Sequence, residues 1–369
     1  MAKKGVSESK VYLQYPWKFP DSPYYKYLID SPPRGIKYIN AEKQKGPITN
    51  RTKFWILTRL KVNIRKWTNW LNLPIINSWE TKASENYELI HCAHCLSKNK
   101  NKPWVADMES AWSMWVSGGN TKVGRQKVKK ILTSTNCKKI MPWTNHTKME
   151  ILKIFPGIED KVEIVYPALP PRTINKKKDK PFTVLFVGRD FRLKGGRIAL
   201  EVFKMLKDQD PKIRTIFISR YPKGIEADYP GVEFHDLLPQ KKIYSLLSES
   251  DIFLYPSMMD TFGFSILEAM SFGVPTICLE TENTAAIGEI IEDDETGKII
   301  NTRCTIDSQS GKDLNITANN IFKELSYLKN NKKKLGEMGR ACLREISHGK
   351  FSILERNKKL ERIYMEASK

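Results

Sequence analysis

The chain has 369 residues, too many for one ordinary domain and a natural length for two α/β domains. Its 40% hydrophobic and 28% charged content is that of a globular protein, with no apolar run long enough to span a bilayer. The net charge of +21 favours an anionic partner, whether nucleic acid, an anionic membrane surface or a phosphorylated small molecule, and is silent about fold.

The basic start, Met1-Ala2-Lys3-Lys4-Gly5, lacks the apolar core of a secretory signal. Six dispersed cysteines suit reduced thiols, so a cytoplasmic location is expected, peripheral to a membrane if the charge serves one. Strands are expected at residues 10–15, 35–39, 89–94, 103–107 and 138–141, the last preceded by a basic helix from about Val123. The cluster His91-Cys92-Ala93-His94-Cys95 invites a zinc reading. Four ligands within five residues of a strand cannot all face one ion, and no second pair follows at zinc spacing. A buried strand ending at the domain cleft is the expectation there.

The pattern breaks between 166 and 181, where Pro167, Pro170 and Pro171 precede a polar lysine run, the best linker in the chain. Beyond it come strands at 182–187, 215–219, 252–255 and 274–279. Helices follow Gly195-Gly196, with Ile198, Val202 and Leu206 on one face, and occupy 241–248 and 264–270. Both halves alternate strand and helix, which predicts parallel sheets. Ligands of such sheets bind at the carboxyl ends of the strands, so chemistry belongs in the turns after Val187, Ser219, Tyr255 and Leu279.

The stretch from Tyr255 to Met270 is the most informative. Gly263 lets a ligand approach the backbone, and the amides of Phe264 and Ser265 then sit at the positive end of a helix, a diphosphate site. Glu268 lies about one turn into that helix and Asp260 just before it. A carboxylate beside a phosphate site serves hydroxyls, as on a sugar or ribose. The turn Gly188-Arg189 with Lys194-Gly195-Gly196 adds two cations suited to a leaving diphosphate.

Leu185-Phe186-Val187-Gly188-Arg189, Lys194-Gly195, Pro256-Ser257, Asp260-Thr261-Phe262-Gly263, Glu268-Ala269-Met270 and Gly273-Val274-Pro275 occur in this order. With Glu289-Ile290-Ile291 and Thr296-Gly297, this ensemble resembles the retaining GT-B glycosyltransferases of family 4, over roughly residues 161 to 300. The resemblance implies an α/β fold of two doubly wound Rossmann-like domains facing across a cleft. Residues 1–168, with a last helix in 351–369 packing back, would form the acceptor side, and 169–350 the nucleotide-sugar side. Arg189 and Lys194 would hold the diphosphate, Asp260 the donor-sugar hydroxyls and Glu268 the ribose, with Gly188, Phe262, Gly263, Phe264 and Ser265 completing the donor site. No metal or other cofactor is implied. Partners would be a nucleotide-diphosphate sugar and a glycan or lipid-linked acceptor.

Three departures stand out. The family's carboxylate pair is usually Glu then Glu, whereas Asp260 is one methylene shorter. Glu109 stands where the family often ends a strand in histidine, and is taken as a catalytic candidate or the partner of a cation. The loop at 16–23 lacks the family's glycines and offers Asp21 and Ser22 toward an acceptor.

Arg51, Lys53, Arg59, Lys61, Arg65 and Lys66 form a run without acidic residues, interleaved with Trp55, Trp67 and Trp70. Residues 110–149 also lack acids. A helix in 51–71 lying on an anionic membrane is expected. The rival is a core-facing stripe with solvated lysines. At the level of function the rivals are a basic nucleic-acid-binding protein, for which no zinc module, aromatic RNA motif or recognition helix is found, and an inactive scaffold of the same fold.

Overall fold

The computed structural model describes residues 8–15, 23–41, 59–60, 63, 66–68, 70–71, 73–83, 85–119, 121–172, 179–284, 286–307 and 309–369. The expected membrane helix in 51–71 falls largely outside them, as do Asp21 and Ser22. The chain divides into two compact units, residues 1–168 with 353–369, and residues 169–352.

The first unit holds a parallel sheet of β1 (Ser9–Gln14), β2 (Ile36–Ile39), β3 (Leu89–Ala93), β4 (Trp104–Met108) and β5 (Cys137–Pro142), in spatial order β2-β1-β3-β4-β5. β3 and β4 are buried at every position, as central parallel strands covered on both faces must be. The helices take their limits from local chemistry. Thr121 Oγ1 accepts from Gly124 N at 3.0 Å and starts Lys122–Leu132. Thr144 Oγ1 does the same for Thr147 N at 3.0 Å and starts Asn145–Ile154. The helix Lys122–Leu132 buries Gly124, Val128 and Leu132 and turns its lysines outward.

The last helix of the chain, Ile353–Ala367, belongs to this first unit. Its Tyr364 hydroxyl lies 2.6 Å from His91 Nδ1 and 3.0 Å from the Tyr38 hydroxyl. His91 Nε2 lies 2.9 Å from Asp107 Oδ2, and Tyr25 donates to Asp107 Oδ1 at 2.6 Å. Burial alone would raise the Asp107 pKa, but the His91 hydrogen bond and charge hold it below its ordinary value. Arg356 of the same helix is buried and donates to the carbonyls of Tyr27 and Ser31 at 3.2 and 2.7 Å. The His-Cys cluster is thus accounted for: His91 and Cys92 are interior residues of β3, and both histidines of the cluster are directed at Asp107.

The second unit is a six-stranded parallel sheet of β6 (Thr183–Gly188), β7 (Arg214–Ser219), β8 (Glu233–His235), β9 (Ile252–Tyr255), β10 (Thr276–Glu280) and β11 (Gly297–Asn301). The spatial order is β8-β7-β6-β9-β10-β11. The chain runs outward from β6 in one direction, then returns to β9 and runs outward in the other. The switch point therefore lies between β6 and β9, where the crevice of an open α/β sheet receives its ligand. After β6 comes the helix Gly196–Gln209, which buries Ile198, Val202, Phe203 and Leu206. After β9 comes Phe264–Ser271.

Candidate active site

Two loops meet at the carboxyl edge of β6 and β9. Gly195 precedes the first of those helices with φ +68°, and Gly263 precedes the second with φ +93°. Neither helix has a side chain capping its first turn. Two helix N-termini thus reach the switch point with their positive dipole ends, although Gly196 N, the first amide of one, donates to the Phe191 carbonyl at 2.7 Å.

Gly195 also holds the loops together. A Cβ there would stand 1.9 Å from the Pro256 carbonyl oxygen. Met258 N donates to Leu193 O at 2.9 Å across the same seam. Left-handed backbone and close approach both demand glycine. Gly195→Ala is expected to cost about 2 kcal/mol or more, lowering the melting midpoint by about 4–8 °C in a thermal scan. A scan that matched the wild type would show that the loops yield.

Lys194 and Asp260, assigned to different parts of a ligand by sequence reasoning, are brought together. Lys194 Nζ lies 2.6 Å from Asp260 Oδ2 and donates to the Met259 carbonyl at 3.0 Å. Asp260 Oδ2 also receives the hydroxyl of buried Tyr255, while Oδ1 accepts from Phe262 N at 3.3 Å. Burial pushes the Asp260 pKa up, but the Lys194 charge and these hydrogen bonds outweigh it and hold the group below its ordinary value. Tyr255 is pushed well up, first by burial and then by the Asp260 charge. Side-chain exposures of 23% for Lys194 and 18% for Asp260 leave the pair reachable from solvent. The aspartate, one methylene shorter than the family's glutamate, still reaches its cation.

Glu268 is buried at the side of the helix Phe264–Ser271. Its Oε1 accepts from Gln240 Nε2 at 2.8 Å and from the Tyr244 hydroxyl at 3.0 Å. Oε2 receives no hydrogen bond from the described residues, so one carboxylate oxygen is held and the other is presented. Burial raises the Glu268 pKa, and those two bonds and the Arg172 charge only partly offset it. The Arg172 guanidinium stacks 3.9 Å from the centroid of the Tyr244 ring.

Gly188 ends β6, and a Cβ there would meet the Lys194 and Phe186 side chains at 2.7 and 2.8 Å. Arg189 follows it, exposed on the turn. Phe262 and Phe264 pack ring to ring at 5.0 Å beside the Gly263 turn. Ser265 stands in the first turn of the helix.

Among the described residues, Glu109 is the one candidate in the first unit. It is half-buried just past β4, its N–H donating to His94 Nδ1 at 3.3 Å and its carbonyl accepting from Thr147 Oγ1 at 2.9 Å. His94 itself carries φ +49°, an unusual backbone for a residue with a side chain.

Sequence reasoning missed Tyr255, Gln240, Tyr244 and Arg172. Tyr255 was findable as the last residue of a strand at the carboxyl edge. Gln240 and Tyr244 stand one helical turn apart on one face, but nothing local names the carboxylate they serve.

Among curated proteins, the chain is 28% identical over 127 residues to an uncharacterised 41.2 kDa protein of the cps region of Klebsiella pneumoniae, over 34% of this chain and 35% of that protein. It is 31% identical over 131 residues to the sulfoquinovosyl transferase SQD2 of Arabidopsis thaliana, over 34% of this chain and 24% of that one. The aligned stretch spans 35% and 24% of those relatives' lengths. A glycosyltransferase from Rickettsia africae superposes with a TM-score of 0.61 at 13% identity, over 98% of this chain and 99% of that one. HepE of Anabaena, solved in complex with UDP and glucose, gives 0.57 at 13% identity, over 96% and 98%. The chain has the GT-B fold of two Rossmann-like domains, and its residues 171–335 match the model of the family described as glycosyl transferases group 1.

Proposed function

We propose that this chain is a retaining glycosyltransferase that takes a sugar from a nucleotide-diphosphate donor. The observation that carries the reading is the pair of helix N-termini without side-chain caps at Gly195 and Gly263, meeting at the switch point with Lys194 at the seam. Amide dipoles and a cation at one point suit a diphosphate, whose charge grows as it leaves. Glu268 then presents Oε2 to a ribose hydroxyl, about one helical turn from the diphosphate.

In this reading the donor's C1–O bond to the phosphate breaks as an acceptor hydroxyl oxygen bonds to C1 from the same face. The acceptor proton passes to the departing phosphate oxygen. Lys194, with Arg189 on the neighbouring turn, offsets the charge left on the diphosphate. Asp260 fixes the Lys194 ammonium and serves donor-sugar hydroxyls through what remains of its Oδ1 capacity. The electrostatic work falls to these cations and amides without a metal. The first unit takes the acceptor, a glycan or a lipid-linked sugar, with Glu109 as its candidate catalytic group. HepE binding UDP and glucose supports the donor class, as does SQD2 being named a sulfoquinovosyl transferase.

Calorimetry of the full chain against UDP-, GDP-, ADP- and CMP-sugars in the presence of EDTA tests this. One of them is expected to bind saturably and to be hydrolysed or transferred. No binding across the panel would favour the inactive scaffold.

A further inference from the structure

The first unit exposes large apolar side chains around one small structural hub. Ile75 and Ile76 pair antiparallel with Ser117 and Trp115. Ser117 Oγ donates to the Leu73 carbonyl at 2.8 Å. The buried Trp115 ring lies 6.3 Å from that of Trp112, and its Nε1 donates to Gly124 O at 3.1 Å, in the first turn of the helix Lys122–Leu132. The neighbours of this hub are left in solvent: Leu73 is 47% exposed, Ile75 41%, Trp112 50% and Val123 52%. Isolated exposed apolar residues need no explanation, but a group gathered around one buried tryptophan does.

The charge around it has one sign. Lys122, Arg125, Lys127, Lys129 and Lys130 are exposed on the same helix. No acidic residue occurs between positions 110 and 149, or between 59 and 79. Trp67 and Trp70, just upstream of Leu73, are also exposed.

We infer that this surface of the first unit docks on an anionic lipid bilayer, with Leu73, Ile75, Trp112 and Val123 entering the headgroup–acyl boundary and the helix lysines on the headgroups. Cations alone would suit a polynucleotide equally. Aliphatic Leu73, Ile75 and Val123 decide between them, because they gain nothing from phosphates and cannot stack on bases, whereas hydrocarbon rewards their burial. Tryptophan among them suits the same boundary. The inference extends the lipid-linked acceptor in the reading above and is independent of donor chemistry. It rests on described residues rather than on the segment 51–58.

The test is flotation of the full chain with vesicles of phosphatidylcholine alone and of phosphatidylcholine with phosphatidylglycerol. Binding to the anionic vesicles only is expected. Lys127→Gln with Lys130→Gln should weaken it about fivefold per cation removed. Trp112→Ser with Val123→Ser should remove the binding that survives raised salt, by about tenfold or more. All four positions are exposed, and melting curves identify any variant that fails to fold. Binding to neither vesicle or to both alike overturns the inference. So does anionic binding that both pairs leave unchanged, or tight, salt-sensitive polynucleotide binding without vesicle binding. Nucleotide-sugar binding, measured on the same samples, should be unaltered in both pairs, which keeps a failure here distinct from a failure of the donor reading.

Discussion

Replacing Lys194 with methionine is expected to lower turnover on the order of 100-fold or more while weakening donor binding only several-fold, because the ammonium matters most when the leaving diphosphate gains charge. Its partner should register the change as well. Asp260 loses the cation 2.6 Å from its Oδ2 and keeps its partial burial, so Lys194→Met should also destabilise the fold, by about 1–3 kcal/mol. The pH dependence follows from the direction of the Asp260 shift. Its pKa is lowered in the folded state, since the Lys194 charge and the hydrogen bonds outweigh burial. The stabilisation is therefore fully present above the unfolded aspartate pKa and is lost as pH falls through the folded value. The stability gap between wild type and Lys194→Met should be full at neutral pH and close in acid. Adding Asp260→Asn to Lys194→Met should recover stability without recovering turnover. Melting curves across pH with steady-state kinetics separate the two roles, and unchanged turnover in Lys194→Met would sink the leaving-group role.

Glu268→Gln should separate stability from function in the opposite direction. Burial raises the Glu268 pKa, so the folded state holds the proton more tightly than the unfolded one. Ionised Glu268 therefore costs stability at neutral pH, and that cost shrinks as pH falls below the raised value and is gone below the unfolded glutamate pKa. Glutamine keeps an oxygen for Gln240 and Tyr244 and discards the charge. The variant should melt higher than wild type at neutral pH, with the difference shrinking in acid. Its donor affinity should fall by about ten- to 100-fold, the loss of a charge-assisted hydrogen bond to a ribose hydroxyl. A variant that melts lower and binds as before would show that the Glu268 charge serves the fold and not a ligand. Function would then be sought elsewhere on the switch point.

How much of this was legible beforehand follows from what each element is made of. β9, Ile252–Tyr255, was read to the residue because a central parallel strand is buried on both faces and is written as an unbroken apolar run. β8, Glu233–His235, was missed because an edge strand three residues long with two polar positions has no such signature. Pro23–Asp30 was missed for another reason. Its tyrosines favour strands locally, and it is the burial of Tyr24, Tyr25, Tyr27 and Leu28 that makes it a helix. The strand expected from 274 begins at Thr276, since Pro275 cannot donate to a ladder and offers only its carbonyl, to Phe253 N. At the site, Gly263 and Glu268 could be placed because a loop-to-helix junction is a local event. The Lys194–Asp260 pair could not, because its members are 66 positions apart and only the order of the strands brings them together.

The helix Ile353–Ala367 has a consequence for how the chain is made. The first unit is closed by a segment made only after the whole of the second unit has been translated. Until that segment arrives, His91 lacks the Tyr364 hydroxyl and the carbonyls of Tyr27 and Ser31 lack Arg356. The second unit has its own contiguous sequence and can fold on the ribosome, while the first must wait half-built, with its central polar groups uncovered. Order of synthesis and order of completion are therefore reversed. A break anywhere between the two segments of the first unit would leave a fragment that owns a sheet but not its closing helix.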